Sequence, residues 1–225
     1  AVKRGNSCYF PDRVVPMLPE HLSADLCSLR EKVDRAIIAC HMTFGADGRM
    51  KTHRFERALM RSAAKLSYGE VQQALDGNPN DKTGPLLKPI LKPLEACYRA
   101  MMKAREKRNP IDLDLPERQI ELDDKGQVKA ITVRERYDAH RLIEEFMIQA
   151  NVAAAEALEA KHVPLVFRIH APPSEEKLHA LSEFLGTMNI NLPKSQTITP
   201  AMLNRILDAA RNTPNADLIN VVTLR

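Results

Sequence analysis

The sequence predicts an α+β fold: a mixed, largely antiparallel sheet with flanking helices. Two observations carry that prediction. Hairpin-like extended segments come first along the chain, and helical 3–4 spacing dominates its second half. The composition adds a third: 44% hydrophobic and 28% charged residues over 225 positions is ordinary globular usage. A chain of this length buries roughly 70% of its unfolded surface, so its core needs no disulfide or metal staple.

Taken in order, residues 8–30 carry Pro11, Pro16 and Pro19 among apolar residues and predict a rigid, ordered loop. Arg35–Phe44 (RAIIACHMTF) is an apolar run suited to a buried strand. Asp47-Gly48 supplies turn chemistry and 49–60 resumes in extended style, so 35–60 predicts a hairpin. Ser67 followed by Glu70 has the capping-box spacing and starts a short helix to about Leu75. Pro85, Pro89 and Pro93 would stack their defects on one helical face, so the next helix is expected only near Pro93, running to about Arg108. Ile111–Leu115 and Gln119–Asp123 predict short strands, and the Asp124-Lys125-Gly126 turn leads to a third over Val128–Glu135. Ala139, Leu142, Ile143, Phe146, Met147, Ala150 and Ala154 share one face of a helix over Asp138–Lys161. Val163–His170 predicts a strand. Ser174 caps the next helix, Thr199-Pro200 starts another that runs to Ala210, and Pro214–Arg225 predicts the last.

No run of eighteen apolar residues occurs, which excludes a spanning helix. Cys8, Cys27, Cys40 and Cys97 are separated by 19, 13 and 57 positions, a pattern unlike zinc ligands. They read as reduced thiols, which predicts a cytoplasmic setting. Net charge is +4. Residues 86–108 hold seven Lys/Arg against two acids, and 111–124 hold six acids against one Arg. This reads either as solvated surface or as a basic groove with an acidic wall.

Asp112 and Asp114 lie two apart on a predicted strand and share a face. They read as an acidic edge strand kept from pairing or as part of a metal site. His140 and Glu144 lie one helical turn apart and read as a surface ion pair or as two metal ligands lacking a third. Glu145 is rotated about 100° away. Local motifs show no self-sufficient active site. Tyr9, near Arg4 and before the proline-stiffened loop, and Tyr68, in the first turn of its capped helix, fit either the core or a single-stranded nucleic acid gripped by stacking and charge.

The segments CYFPDRVVPMLPEHLSADLCSL (8–29), VDRAIIACHMTF (33–44), SAAKLSYGEV (62–71), KAREKR (103–108), LDLPE (113–117), ERYDAHRLIEEFMIQANVAAAE (135–156) and PLVFRIHAPPSEEKL (164–178) follow one another in a familiar order. Together they resemble the catalytic RNB domain of the ribonuclease II / ribonuclease R family, and the ribonuclease R branch more closely. The resemblance implies a processive, hydrolytic 3′→5′ exoribonuclease. It would act on single-stranded RNA and release nucleoside 5′-monophosphates by a two-metal displacement with Mg²⁺. It places Tyr9 where the family has a tyrosine that stacks on the 3′-terminal nucleotides. Tyr68 falls on a tyrosine that helps recognise ribose, and Glu144 on an acidic residue that contacts sugar hydroxyls.

The family's aspartate cluster (D-x-x-x-x-x-D-x-D-D) and its arginine-bearing segment (H-F-G-L…S-P-I-R-R-Y) have no counterpart in these 225 residues. At Leu113 relatives often carry a phenylalanine that closes the base stack. The expectation is therefore an internal segment of one RNB domain, residues 1–225, lacking the N-terminal aspartates and the C-terminal arginines. It would hold no catalytic or metal-ligating residue of its own, and Mg²⁺ would bind elsewhere in the parent enzyme. The partner expected is single-stranded RNA, with no membrane and with self-association through apolar surfaces exposed by truncation. The alternatives are a non-catalytic RNA-binding protein or a scaffold derived from the same family.

Overall fold

Three antiparallel hairpins and a series of helices form the computed structural model, which describes residues 3, 5–111, 113, 115–169, 171–192 and 198–224. The backbone divides into two units, Ala1–Lys103 with Arg118–Pro164, and Ala104–Glu117 with Leu165–Arg225. The mixture of helices and antiparallel strands is the α+β class that the sequence predicts.

In the first unit, β1 (Cys8–Tyr9) pairs with β2 (Val14–Val15), and a π-helical stretch follows over His21–Leu26. The segment expected to be one rigid loop thus contains a small hairpin and a helical turn. Its prolines flank these pieces at positions 11, 16 and 19, where no ladder hydrogen bond is needed. The long hairpin joins β3 (Asp34–Phe44) to β4 (Met50–Arg61), in register from Asp34↔Arg61 to Phe44↔Met50 with a bulge at Thr43/Phe44. At its base the Arg61 guanidinium donates to both Asp34 carboxylate oxygens, at 2.5 and 2.8 Å, which holds that carboxyl below its ordinary range. At its tip Gly48 turns with φ 77° and is buried. A β-carbon there would lie 1.9 Å from the Ala100 carbonyl oxygen. The tip therefore seats backbone against backbone on a helix, which only glycine permits.

That helix is α3 (Lys92–Arg108). It is preceded by a short α2 (Gly84–Leu86) and a π-helical run, Leu87–Leu91, so helical backbone begins well before Pro93. This corrects the sequence expectation. Pro85 occupies a first-turn position of α2, where its missing N–H is no loss. The wider π-turn carries the backbone past Pro89, and Pro93 falls in the first turn of α3. Upstream, α1 (Tyr68–Leu75) carries the expected capping box: Glu70 N–H donates to Ser67 Oγ, and Ser67 N–H donates to Glu70 Oε2 at 2.8 Å. The Ser67 N–H, and the Ser67 hydroxyl donating to the same Oε2 at 2.8 Å, hold the Glu70 carboxyl below its usual range.

The third hairpin pairs β5 (Arg118–Leu122) with β6 (Val128–Val133). Residues 111, 113 and 115 are not in a strand, so the first of the two strands expected there does not form among the described residues. Asp112 and Asp114 lie outside the described residues. Helix α4 (Asp138–Glu159) runs as the periodicity requires and packs on both β3 and β4, with His53 Nδ1 3.5 Å from Glu156 Oε2. Residues 163–169 form no strand, contrary to expectation. A β-pattern makes a strand only with a neighbour to pair with, and Val166 (96%) and Ile169 (84%) are almost fully exposed.

The second unit has its own core. Ser174 caps α5 (Glu175–Gly186), Thr199 caps α6 (Pro200–Ala210) with Pro200 at the first position, and α7 (Ala216–Leu224) follows. Leu181, Leu185, Ile206, Leu207, Ala210 and Ile219 are buried together, and Leu113 packs against them. Asn204 Nδ2 donates to the Pro110 carbonyl at 2.8 Å, fastening the 104–117 segment to α6.

Candidate nucleic-acid interface

Two helix starts come together in the first unit. The capping box fixes where α1 begins, which puts Tyr68 in its first turn. Gln72, one turn further along, accepts at Oε1 from the Ala139 N–H in the first turn of α4, at 3.2 Å. Ala74 and Ala139 are 0% and 3% exposed, and side chains this small let the two helices approach closely. Tyr68 and His140 therefore face each other. Their rings stack with centroids 4.0 Å apart and planes 22° from parallel. The imidazole is near-parallel to Tyr137 as well, at 5.5 Å and 24°. His140 Nδ1 accepts from the Tyr137 backbone N–H at 3.1 Å, which leaves Nε2 as the ring's donor.

Glu144 lies one turn beyond His140 on α4. The Arg136 guanidinium reaches back to it and donates to Oε2 at 2.6 Å. The His140–Glu144 surface ion pair is thus replaced: the histidine is committed to the tyrosines and the carboxylate to an arginine. Glu145, rotated away as the helix period requires, is 1% exposed and accepts from Gln149 Nε2 at 3.2 Å. The Tyr137 hydroxyl is held up from its usual range chiefly by its hydrogen bond to Glu135. Tyr68 and Ser67 also line an otherwise largely apolar cavity of about 590 Å³ whose walls include Val71, Leu91 and Leu142.

Tyr68 and Glu144, singled out in the sequence, are thus gathered on one surface, 41% exposed for Tyr68 as a whole and 42% for the Glu144 side chain. Tyr9 is on a separate hairpin, 77% exposed, and among the described residues no ring stacks on it. It is not a core residue. Arg136 and Tyr137 were missed. The signal available was the spacing Y-x-x-H at a helix start, which places residue i+3 under the cap, but nothing local says that a tyrosine 69 positions upstream of Tyr137 completes the stack. Leu113 belongs to the core of the second unit. Among the described residues no three His, Cys, Asp or Glu side chains converge to hold a metal ion, and no helix is long and apolar enough to cross a membrane.

Comparison with known proteins places this surface in context. The RNB domain family model matches residues 1–225. Ribonuclease R of Aquifex aeolicus is 38% identical over 226 residues, which is all of this chain and 32% of that protein. Ribonuclease R of Escherichia coli is 37% identical over 227 residues, covering 28% of its length. The chain thus spans about a third of the curated relatives it matches. Mycoplasma genitalium RNase R in complex with double-stranded RNA is similar with a TM-score of 0.90 at 30% identity, over 98% of this chain and 40% of that one.

Proposed function

The chain belongs to the RNB domain family, and on that premise we propose that it is the RNA-gripping part of an exoribonuclease that shortens single-stranded RNA from its 3′ end. Tyr9 stacks on bases. Tyr68 and Glu144 read the ribose, the carboxylate accepting from the 2′-OH that DNA lacks. The parent enzyme hydrolyses RNA processively to nucleoside 5′-monophosphates with Mg²⁺, in the cytoplasm. The described residues offer that metal no converging ligands, so no step of hydrolysis is assigned to them. In this reading residues 1–225 are an internal segment of one RNB domain, and the chain alone binds RNA without cutting it. The apolar strand positions Ile38 and Leu59, both 72% exposed, support self-association of the isolated chain.

One observation carries the reading: the half-exposed Tyr68 stacks on His140, one helical turn from Glu144 on α4, where the Gln72–Ala139 hydrogen bond joins the two helix starts. The test is binding of a fluorescently labelled twelve-nucleotide RNA and its DNA counterpart to the chain and to Tyr9→Ala, Tyr68→Ala and Glu144→Gln. The chain is expected to prefer RNA. Glu144→Gln should erode that preference by about tenfold, the size of a hydrogen bond to a charged group, and Tyr68→Ala by up to about tenfold, the upper end for a neutral one. Tyr9→Ala should weaken RNA and DNA alike, also by about tenfold, because a stack ignores the sugar. Equal binding of RNA and DNA by the unsubstituted chain would contradict the proposal.

A further inference from the structure

We propose that His140 is a positioning residue: its imidazole is the flat backing that fixes the Tyr68 ring for ribose recognition. The inference rests on the RNA-binding reading of Tyr68 above. A tyrosine that is 41% exposed, at the first position of a helix, has little packing to choose one ring orientation. Here one face of the ring is covered by His140 at 4.0 Å, and the exposed remainder stays available to a ligand. A backing is useful only if it is itself held, and His140 is held twice. Nδ1 accepts the Tyr137 N–H, and the Tyr137 ring lies near-parallel to the imidazole. The Gln72–Ala139 hydrogen bond then sets the spacing between the helix that carries Tyr68 and the helix that carries His140. Stacking on a fixed neighbour reduces the rotamer freedom that Tyr68 would lose on binding, so its hydroxyl meets the sugar already oriented.

The competing view is that His140 merely caps α4 through Nδ1. The two are separated by His140→Phe and His140→Leu. Neither side chain can accept from the Tyr137 N–H, so both lose the cap equally, but only phenylalanine presents a flat face. Three readouts are taken on the chain: thermal unfolding, the NMR chemical shifts of the Tyr68 ring protons, and the ratio of RNA to DNA affinity. Both variants should unfold at similar temperatures. His140→Phe should keep an upfield-shifted Tyr68 ring and an RNA preference within about twofold of the unsubstituted chain. His140→Leu should release the ring shift and lower the preference by roughly fivefold, as expected for one lost aromatic stack. Adding Tyr68→Ala to His140→Leu should reduce the preference no further than Tyr68→Ala alone. Equal preferences in the Phe and Leu variants, or a Tyr68 ring shift unmoved by His140→Leu, would overturn the positioning role. If the unsubstituted chain shows no RNA preference at all, the RNA reading fails instead, while the ring shifts still report whether His140 orders Tyr68.

Discussion

Gly48→Ala should destabilise the first unit by about 3 kcal/mol or more, the upper range for forcing atoms into a packed site. Two costs combine. With φ at 77° the backbone is in the left-handed region, where a β-carbon costs about 1 kcal/mol. The new methyl would also lie 1.9 Å from the Ala100 carbonyl oxygen and 2.9 Å from the Met101 α-carbon. Neither is the end of a flexible side chain. Relief requires lifting the hairpin tip away from α3, where Met101 is 1% exposed. Gly77→Ala and Gly126→Ala supply the control, with φ at 102° and 75° but no atom within 4 Å of the added carbon. Each should lose only about 1 kcal/mol. Urea unfolding of the three variants checks this, and a Gly48→Ala midpoint equal to that of Gly126→Ala would show that the tip does not seat on α3. The consequence reaches the proposed RNA surface, because the same hairpin packs on α4, which carries His140 and Glu144.

Leu185→Ala is the counterpart in the second unit. The side chain is fully buried among Leu181, Ile206, Leu207, Ala210 and Ile219. Removing it forfeits burial and leaves a cavity, for an expected loss of about 3 kcal/mol. Amide hydrogen exchange is the appropriate measurement, since it resolves local opening helix by helix. Exchange in α5, α6 and α7 should accelerate by roughly a hundredfold, as 3 kcal/mol converts to a little over two powers of ten. Unchanged protection in these helices would mean that Leu185 does not hold them together.

What the sequence revealed follows the range of the interactions involved. Helix starts at Ser67, Ser174 and Thr199 were legible because a cap is a contact over three residues. The 34–61 hairpin was legible because Asp47-Gly48 dictates a turn between two apolar runs. That Gly48 also meets α3, some fifty residues on, was not. Residues 163–169 carry a strand pattern without a strand, because pairing depends on a partner that pattern alone cannot supply. Pro85 and Pro89 misled in the other direction, since a helix's first turn tolerates the one and a π-turn carries the backbone past the other. At the site, Tyr68 and Glu144 were named from resemblance. The stack of His140 on Tyr68 is tertiary and became visible only with the fold, as did the Arg136–Glu144 pair across the start of α4.

The proposed function has two halves, that the chain recognises RNA by its ribose and that Mg²⁺ is held elsewhere in the parent enzyme. A time course of 5′-labelled single-stranded RNA with the purified chain, with Mg²⁺ or with EDTA and beside the matching DNA, tests both halves on one gel. The predicted result is retarded RNA, much less retarded DNA, and no shortening of either. Steady shortening of RNA with Mg²⁺ and not with EDTA would contradict it, and Asp112 and Asp114 would be the first residues to substitute.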